Sequence, residues 1–393
     1  MSAAYSIGDE LEVRVEKIVP RGYGIAFAEK LTLLIPLAAA GDKVLVQLRE
    51  VKKHLAFAEI VAVIEPGPER AEPPCIYFGT CGGCDFQQMS YEAQLNAKVG
   101  ILRDCLERIA KIDHPGEIRI VPSPPLEYRS RARWHADSET LAIGYYKRDR
   151  HDVVDVASCP ILTPSLQSTL AYVRGSTDWS SISGTAELEA AVGTHGDVSM
   201  HSRESTAEPA ELTFTRLKDT YAYSARTFFQ ANKFLIDDLI DAALKGVSGG
   251  MAFDLYCGVG LFSLPMARQF DSVIAVEGNA TAAEFAKKNA LAAGFDNIKV
   301  SNRSVDDFLL TNKTKDVDLV LIDPPRSGTE KRTIASITKL APKHISYVSC
   351  EPSILARDLP LLVDAGYVID SITALDLFPQ THHFETVARL HLG

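Results

Sequence analysis

The feature that most constrains the fold is a change of hydrophobic pattern near residue 225. From there strand-length apolar runs alternate with helical spans: MAFDLYCGVGLFSLPMARQF reads as strand, glycine turn and helix, and SVIAVEGNATAAEFAKKNALAAG repeats the unit. DLVLIDPPRSG and ISYVSCEP close further strands. Strands separated by helices imply a parallel, doubly wound sheet with helices on both faces. In such sheets ligands bind outside the carboxyl ends of the strands. The stretch HISYVS ends in Cys350, and Pro352 stops the strand two residues later. Packing alone accounts for many free cysteines, which are among the most buried residues. A thiol at a strand's carboxyl end is also placed to reach a substrate.

The same logic applies to FDLYCGVGLFS, where Gly258 and Gly260 stand at a strand-to-helix turn. Glycine suits a turn whose backbone a ligand must approach closely. The third glycine of the dinucleotide fingerprint is missing, which disfavours a dehydrogenase. The next strand, SVIAVE, ends in Glu277, where a carboxylate accepts hydrogen bonds from ribose hydroxyls. A tight turn and an acidic loop residue explain either feature separately. Joined by Asp323-Pro324-Pro325-Arg326 after LVLI, they point to an S-adenosylmethionine site. The two prolines hold the backbone extended past the strand and so aim Asp323. A D/N-P-P-x motif is typical of methyltransferases acting on a planar nitrogen or a base.

Upstream, residues 6–64 read as five short strands with glycine turns, a small β-barrel of OB type over residues 1–65. EPGPERAEPP is a linker by composition. Residues 75–220 are mixed α+β: YEAQLNAKVGILRDCLERIAKI has helical spacing, ARWHADSETLAIGYYKR reads as a hairpin, and a polar stretch near 174–210 reads as loop-rich. Residues 225–393 form the α/β domain. No run of about 18 apolar residues and no leader pattern is seen, so neither a membrane nor a secreted protein is expected.

Seven cysteines, an odd number, argue against a disulfide scaffold and for a reducing cytoplasm. Cys75, Cys81 and Cys84 follow C-x5-C-x2-C, and Cys159 lies further on, before a proline. Four thiolates suit zinc or an iron–sulfur cluster. Zinc ribbons show two paired knuckles and only one is present, which favours a 4Fe–4S cluster. Cys105 and Cys257 read as packing residues.

A net charge of −10 counts against nucleic-acid binding, but its distribution matters more. YRSRARWHADSETLAIGYYKRDR interleaves Arg129, Arg131, Arg133, Lys147, Arg148 and Arg150 with Tyr128, Trp134, Tyr145 and Tyr146. Basic and aromatic residues together suit single-stranded RNA. A solvated hairpin is the plainer alternative. The pair His382 and His383 suggests a metal, but a shared ligand role is not expected from neighbours on opposite sides of a strand. Asp358 reads as an N-cap ahead of Pro360.

Taken in order, YRSRARWH, GYYKRDRHDVVDVASCP, FFQAN, DLYCGVGLFSL, DPPR, YVSCEP and LFPQTHHFETV carry a resemblance to the RNA uridine-5-methyltransferases over nearly the whole length. The resemblance implies a TRAM domain for the barrel and a 4Fe–4S site for the cysteine quartet. It also implies an RNA-contacting central domain and a Rossmann-like methyltransferase domain. Cys350 would be the nucleophile, adding to carbon 6 of uracil so that carbon 5 takes a methyl group, and Glu385 the base. Gln230, Tyr256, Glu277 and Asp323 would line the cofactor and uracil pocket. Ribosomal RNA is the expected partner, transfer RNA the alternative, and the enzyme a monomer. Two positions depart from the family: Glu351 stands where Asn is usual, and Leu261 where a polar residue is common, which removes one cofactor contact. The competing readings are a methyltransferase for another base or small molecule, which needs no thiol at 350, and a catalytically silent RNA-binding or iron–sulfur sensor protein.

Overall fold

The computed structural model describes residues 5–114, 116–216 and 218–393. The chain opens with β1 (Glu10–Arg14), β2 (Lys17–Val19), β3 (Tyr23–Ala28), β4 (Leu31–Ile35), β5 (Lys43–Lys52) and β6 (Leu55–Glu65). They form one sheet in the order β1-β5-β6-β4-β3-β2. Strands of period two bury alternate residues, here Leu31, Leu33 and Ile35 with Val44, Val46 and Leu48. The run LEVRVEKIV, expected as one strand, breaks into two. Val15 N–H donates to Asp42 O at 2.8 Å and Glu16 N–H to Ile25 O at 2.8 Å, so the chain crosses the sheet and closes it. The Pro-rich segment that follows is fastened to this barrel. Asp42, fully buried, accepts from the Arg70 guanidinium at 2.7 Å and from Gly67 N–H at 2.8 Å.

Next come α1 (Tyr91–Cys105) and β7 (Arg119–Val121), then β8 (Arg131–Asp137), β9 (Ala142–Tyr146), β10 (Val153–Asp155), α2 (Pro164–Ser176), β11 (Thr185–Val192) and β12 (Val198–Ser202). The last five strands form an antiparallel sheet, β10-β9-β8-β11-β12, with Leu166 and Leu170 of α2 packed on Trp134. The stretch read as loop-rich therefore contains two strands. Its polar residues concealed them: Glu187 and Glu189 flank Leu188, which pairs with Trp134 across the sheet.

The remainder is a hairpin of β13 (Leu212–Arg216) and β14 (Asp219–Tyr223), followed by α3 (Ile236–Leu244), β15 (Gly249–Leu255), α4 (Ser263–Met266), β16 (Phe270–Glu277), α5 (Ala280–Ala292), β17 (Ile298–Asn302), α6 (Val305–Thr311), β18 (Leu319–Ile322), α7 (Lys331–Leu340), β19 (His344–Ser349), α8 (Pro352–Val363), β20 (Tyr367–Leu375) and β21 (Glu385–Leu392). Eight strands form the main sheet in the order β17-β16-β15-β18-β19-β21-β20-β7. Neighbours from β17 to β19 are parallel, and β21 lies antiparallel between β19 and β20. β7 adds a parallel edge beside β20, and α1 shares an apolar cluster with Phe253, Ile322 and Leu355. Both segments leave the 75–220 unit drawn from sequence and pack with the α/β domain.

Asp358 is not a cap. Pro352 starts α8 six residues earlier, in the first-turn position proline favours, and Glu351 caps it, accepting from Ser353 N–H at 3.4 Å and from Ser353 Oγ–H at 2.8 Å. Asp358 is buried within the helix, where it accepts from Tyr347 OH at 2.8 Å. Among the described residues no helix is long and apolar enough to cross a membrane.

Candidate active site

The loop after β15 turns left-handed three times, at Tyr256 (φ 65°), Gly258 (φ 55°) and Gly260 (φ 95°). A Cβ added to Gly258 would meet nothing within 4 Å, so that face of the turn is open. Glu277, at the end of β16, pins the loop from the neighbouring strand: its carboxylate accepts from Gly258 N–H at 2.9 Å and from Asn279 N–H at 2.7 Å. Burial pushes the Tyr256 phenol up to about 12. Leu261 packs in the apolar core with Leu264 and Tyr221, and its carbonyl accepts from Tyr221 OH at 3.1 Å.

Three carboxyl groups gather at the strand ends beside this loop. Burial pushes Asp254 up to about 7, helped by Glu277. Asp323 rises to about 7 through burial and the charge of Asp254. Glu385, the first residue of β21, rises to about 8 through burial and Asp323, with Arg326 pulling the other way. Asp254 accepts from Ser263 Oγ–H at 2.5 Å, yet its Oδ1, Glu385 Oε2 and Gln230 Oε1 are buried without a hydrogen-bond partner. Such orphaned atoms cost about 1–3 kcal/mol each. A site holding several of them, with an excess of carboxyl groups, is built for a cationic ligand with donors. S-adenosylmethionine fits: it carries a sulfonium, an ammonium and a ribose. Asp254 was not singled out from sequence; the signal was the lone acidic residue just before the glycine turn.

Cys350 follows β19. Ser349 pairs with Thr386 across the antiparallel β19–β21 ladder, and extending that register by one residue sets Cys350 opposite Glu385. Burial pushes the thiol up to about 12; Glu385 and Asp323 add to this and Arg326 opposes it. These neighbours and the burial favour the neutral thiol over the thiolate.

His382 and His383 do not flank a strand. They lie in the loop before β21 with rings 3.9 Å apart. His382 Nδ1–H donates to Asp85 Oδ2 at 2.6 Å, and burial holds His383 down at about 2.

Cys75, Cys81, Cys84 and Cys159 line one cavity of about 240 Å³, shared with Arg129, Tyr145 and, from the catalytic side, Arg326 and His383. Burial raises Cys81, Cys84 and Cys159. Among the described residues no three His, Cys, Asp or Glu side chains are grouped to hold a single metal ion. One zinc ion would draw its sulfurs to within about 4 Å of one another, given Zn–S near 2.3 Å.

The three arginines expected to meet RNA are differently placed. Arg129 is half-buried in the cysteine cavity's wall and donates to Arg131 O at 3.0 Å. Arg131 donates to Ala225 O at 2.8 Å and to Ser224 O at 3.4 Å. Both half-buried guanidinium groups are engaged by backbone carbonyls. Arg133 is exposed, but pairs with Glu189 at 2.6 Å. Basic and aromatic groups also line a second cavity of about 550 Å³, between Arg21 and Tyr23 of the barrel, Tyr146, Lys147 and Arg148 of the hairpin, and Glu351, the residue after Cys350.

The sequence pattern of the family described as tRNA (Uracil-5-)-methyltransferase matches residues 209–391. The 23S rRNA (uracil(1939)-C(5))-methyltransferase RlmD of Shewanella amazonensis is 31% identical, over 99% of this chain and 97% of that one. The enzyme of the same name from Pectobacterium atrosepticum is 29% identical over 96% and 93%. An RNA methyltransferase of Aquifex aeolicus is 30% identical over 97% and 98%. Among solved structures, the tRNA (uracil-54, C5)-methyltransferase of Pyrococcus abyssi with S-adenosyl-L-homocysteine shares the fold, at a TM-score of 0.77 and 24% identity, covering 96% of this chain and 99% of that chain. With a relative this similar along its whole length and a site shaped for a methyl donor, the chain belongs to the S-adenosylmethionine-dependent RNA uracil-5-methyltransferase family.

Proposed function

We propose that this enzyme methylates carbon 5 of one uridine in large-subunit ribosomal RNA through a covalent adduct on Cys350. The observation that carries the mechanism is the ladder register that sets Cys350 opposite Glu385 at the strand ends, beside Asp323. Carbon 5 of uracil is a weak nucleophile. Addition of Cys350 Sγ to carbon 6 turns the ring into an enolate, splitting one hard step into two easier ones. S-adenosylmethionine supplies an electrophilic methyl group. Carbon 5 takes that methyl with S-adenosylhomocysteine as the leaving group, Glu385 as its carboxylate removes the carbon 5 proton, and the electron pair this frees breaks the carbon 6–sulfur bond, releasing Cys350 as the thiolate. A carboxyl group near pH 7 in its affinity suits that proton transfer, and Glu385 lies close to it, at about 8. Gln230, Asp323 and the orphaned Asp254 oxygen are the natural partners for the uracil and the cofactor's cationic groups.

The four cysteines around one cavity support a 4Fe–4S cluster, since a four-iron cube spreads its thiolates farther apart than one zinc does. The closed six-stranded barrel supports the TRAM reading. Ribosomal RNA is favoured because relatives carrying that name match this chain end to end. The uridine must leave its stack to reach the thiol, so an unpaired one is preferred.

Incubating the Glu385→Gln enzyme with methyl donor and RNA should give a protein–RNA adduct that survives denaturing electrophoresis; adding Cys350→Ala should abolish it. Methylation by a folded Cys350→Ala protein would reject the mechanism. Mapping 5-methyluridine in ribosomal and transfer RNA of a deletion strain tests the target.

A further inference from the structure

The loop that delivers Glu385 to the site, residues 376–384, is held by a part of the chain the chemistry does not use. Asp85 directly follows Cys84. Its N–H and that of Phe86 both donate to Gln380 O, at 3.1 and 3.0 Å. Its carboxylate takes two bonds from one residue: His382 N–H donates to Oδ1 at 2.7 Å and His382 Nδ1–H to Oδ2 at 2.6 Å. Gln380 is buried and left-handed, at φ 68°. A non-glycine residue in that region is strained and persists only where its surroundings over-determine it. They do so here. Gln380 N–H donates to Gln94 Oε1 at 2.9 Å, and Gln94 Nε2–H returns to Gln380 Oε1 at 3.0 Å. The barrel closes the assembly from outside, since a Cβ on Gly22 would stand 2.9 Å from Phe86 and 3.0 Å from His382.

We propose that Asp85 and His382 are positioning residues for the catalytic base. They set the strained turn at Gln380 and so the entry of Glu385 into β21, which makes the cysteine loop a determinant of the elimination step. The inference rests on the reading of Glu385 as the base. An energetically ordinary anchor would be satisfied by one hydrogen bond. This one uses both carboxylate oxygens and two backbone donors, three residues before the group that must meet the carbon 5 proton. Attack by Cys350 does not depend on it, because Cys350 enters from β19 and α8, which the clamp does not touch.

The step affected is therefore proton removal and carbon–sulfur cleavage, and the adduct is its readout. The test uses full-length protein prepared without oxygen, methyl donor and substrate RNA, quenched into denaturant at successive times. Asp85 and His382 also line the basic cavity, so the variants are compared at saturating RNA, where Asp85→Ala and His382→Ala should each form the adduct at the parental rate. Each should release it about tenfold to a hundredfold more slowly, the usual effect of a small misplacement of a reacting group. The double variant should be no slower than Asp85→Ala, because that substitution already removes both bonds to His382. Asp85→Asn, which can still accept from His382 N–H and can donate its amide N–H to Nδ1 of the other imidazole tautomer, keeps both contacts and should recover most of the release rate. If Asp85→Ala does not fold, His382→Ala decides, since it lies far in sequence from the cysteines. Parental release in a folded His382→Ala protein, or equal slowing of adduct formation and release, would overturn the proposal. Should Glu385→Gln trap RNA while neither clamp variant does, the clamp alone falls; should Glu385→Gln trap nothing, the base assignment falls and the clamp with it.

Discussion

Glu385 stores a measurable amount of instability. Its carboxyl is held at about 8, against an ordinary 4.5, mainly by burial and then by Asp323. In the folded state it keeps a proton that the unfolded chain has released at the same pH. Stability is therefore full below about pH 4.5 and falls as pH rises toward 8. At about 1.4 kcal/mol per unit, the loss between pH 5 and pH 8 approaches about 4 kcal/mol, or roughly half that where Asp323 takes up part of the proton. Glu385→Gln has nearly the same shape and no titration. It should unfold at a temperature close to the parent's at pH 5 and roughly 5–10 °C higher at pH 8, using the usual conversion for a domain of this size. Scanning calorimetry of both ligand-free proteins across that range is the assay. Parallel melting temperatures from pH 5 to pH 8 would show that Glu385 is not buried as a neutral acid and would refute the reasoning. On the proposed mechanism the same variant should not turn over, because the group that destabilises the fold at high pH is the one assigned as the base.

Lys98 and Asp376 form a fully buried ion pair between α1 and the loop before Glu385. Lys98→Met should destabilise the enzyme by about 3–5 kcal/mol in urea unfolding, with Lys98→Met/Asp376→Leu recovering much of it, since an unpaired buried charge costs more than its replacement by apolar groups. Arg131→Ala should lower stability while leaving the salt dependence of RNA binding unchanged. Arg21→Ala and Lys147→Ala, on the open cavity, should each flatten that slope, as lost phosphate contacts do. Gly260→Val should weaken S-adenosylmethionine binding in calorimetric titration, because φ 95° strains a β-branched residue. Protein purified without oxygen should carry iron and absorb broadly near roughly 400 nm; zinc in place of iron would reject the cluster.

The α/β domain, its cofactor loop and the thiol at a strand end followed from sequence alone, because period, glycine turns and proline stops are local properties of the chain. The ordered motifs likewise pointed to Cys350, Glu385 and the cysteine quartet as candidates. What local pattern cannot carry is which distant segments meet. The same basic and aromatic stretch reads as an RNA surface, yet Arg129 and Arg131 are spent on carbonyls and cavity walls that only the folded chain supplies. The strands at 185–202 look polar because one face is open, and β7 and α1 leave their neighbours in sequence to complete a sheet far along the chain. The site itself was decided at this level. Opposing Cys350 to Glu385 takes a ladder between β19 and β21, and raising the carboxyl groups takes burial in one place of residues separated along the whole domain. Electrostatic shifts and orphaned hydrogen-bonding groups are properties of a position in space, so they arise only once the chain has folded.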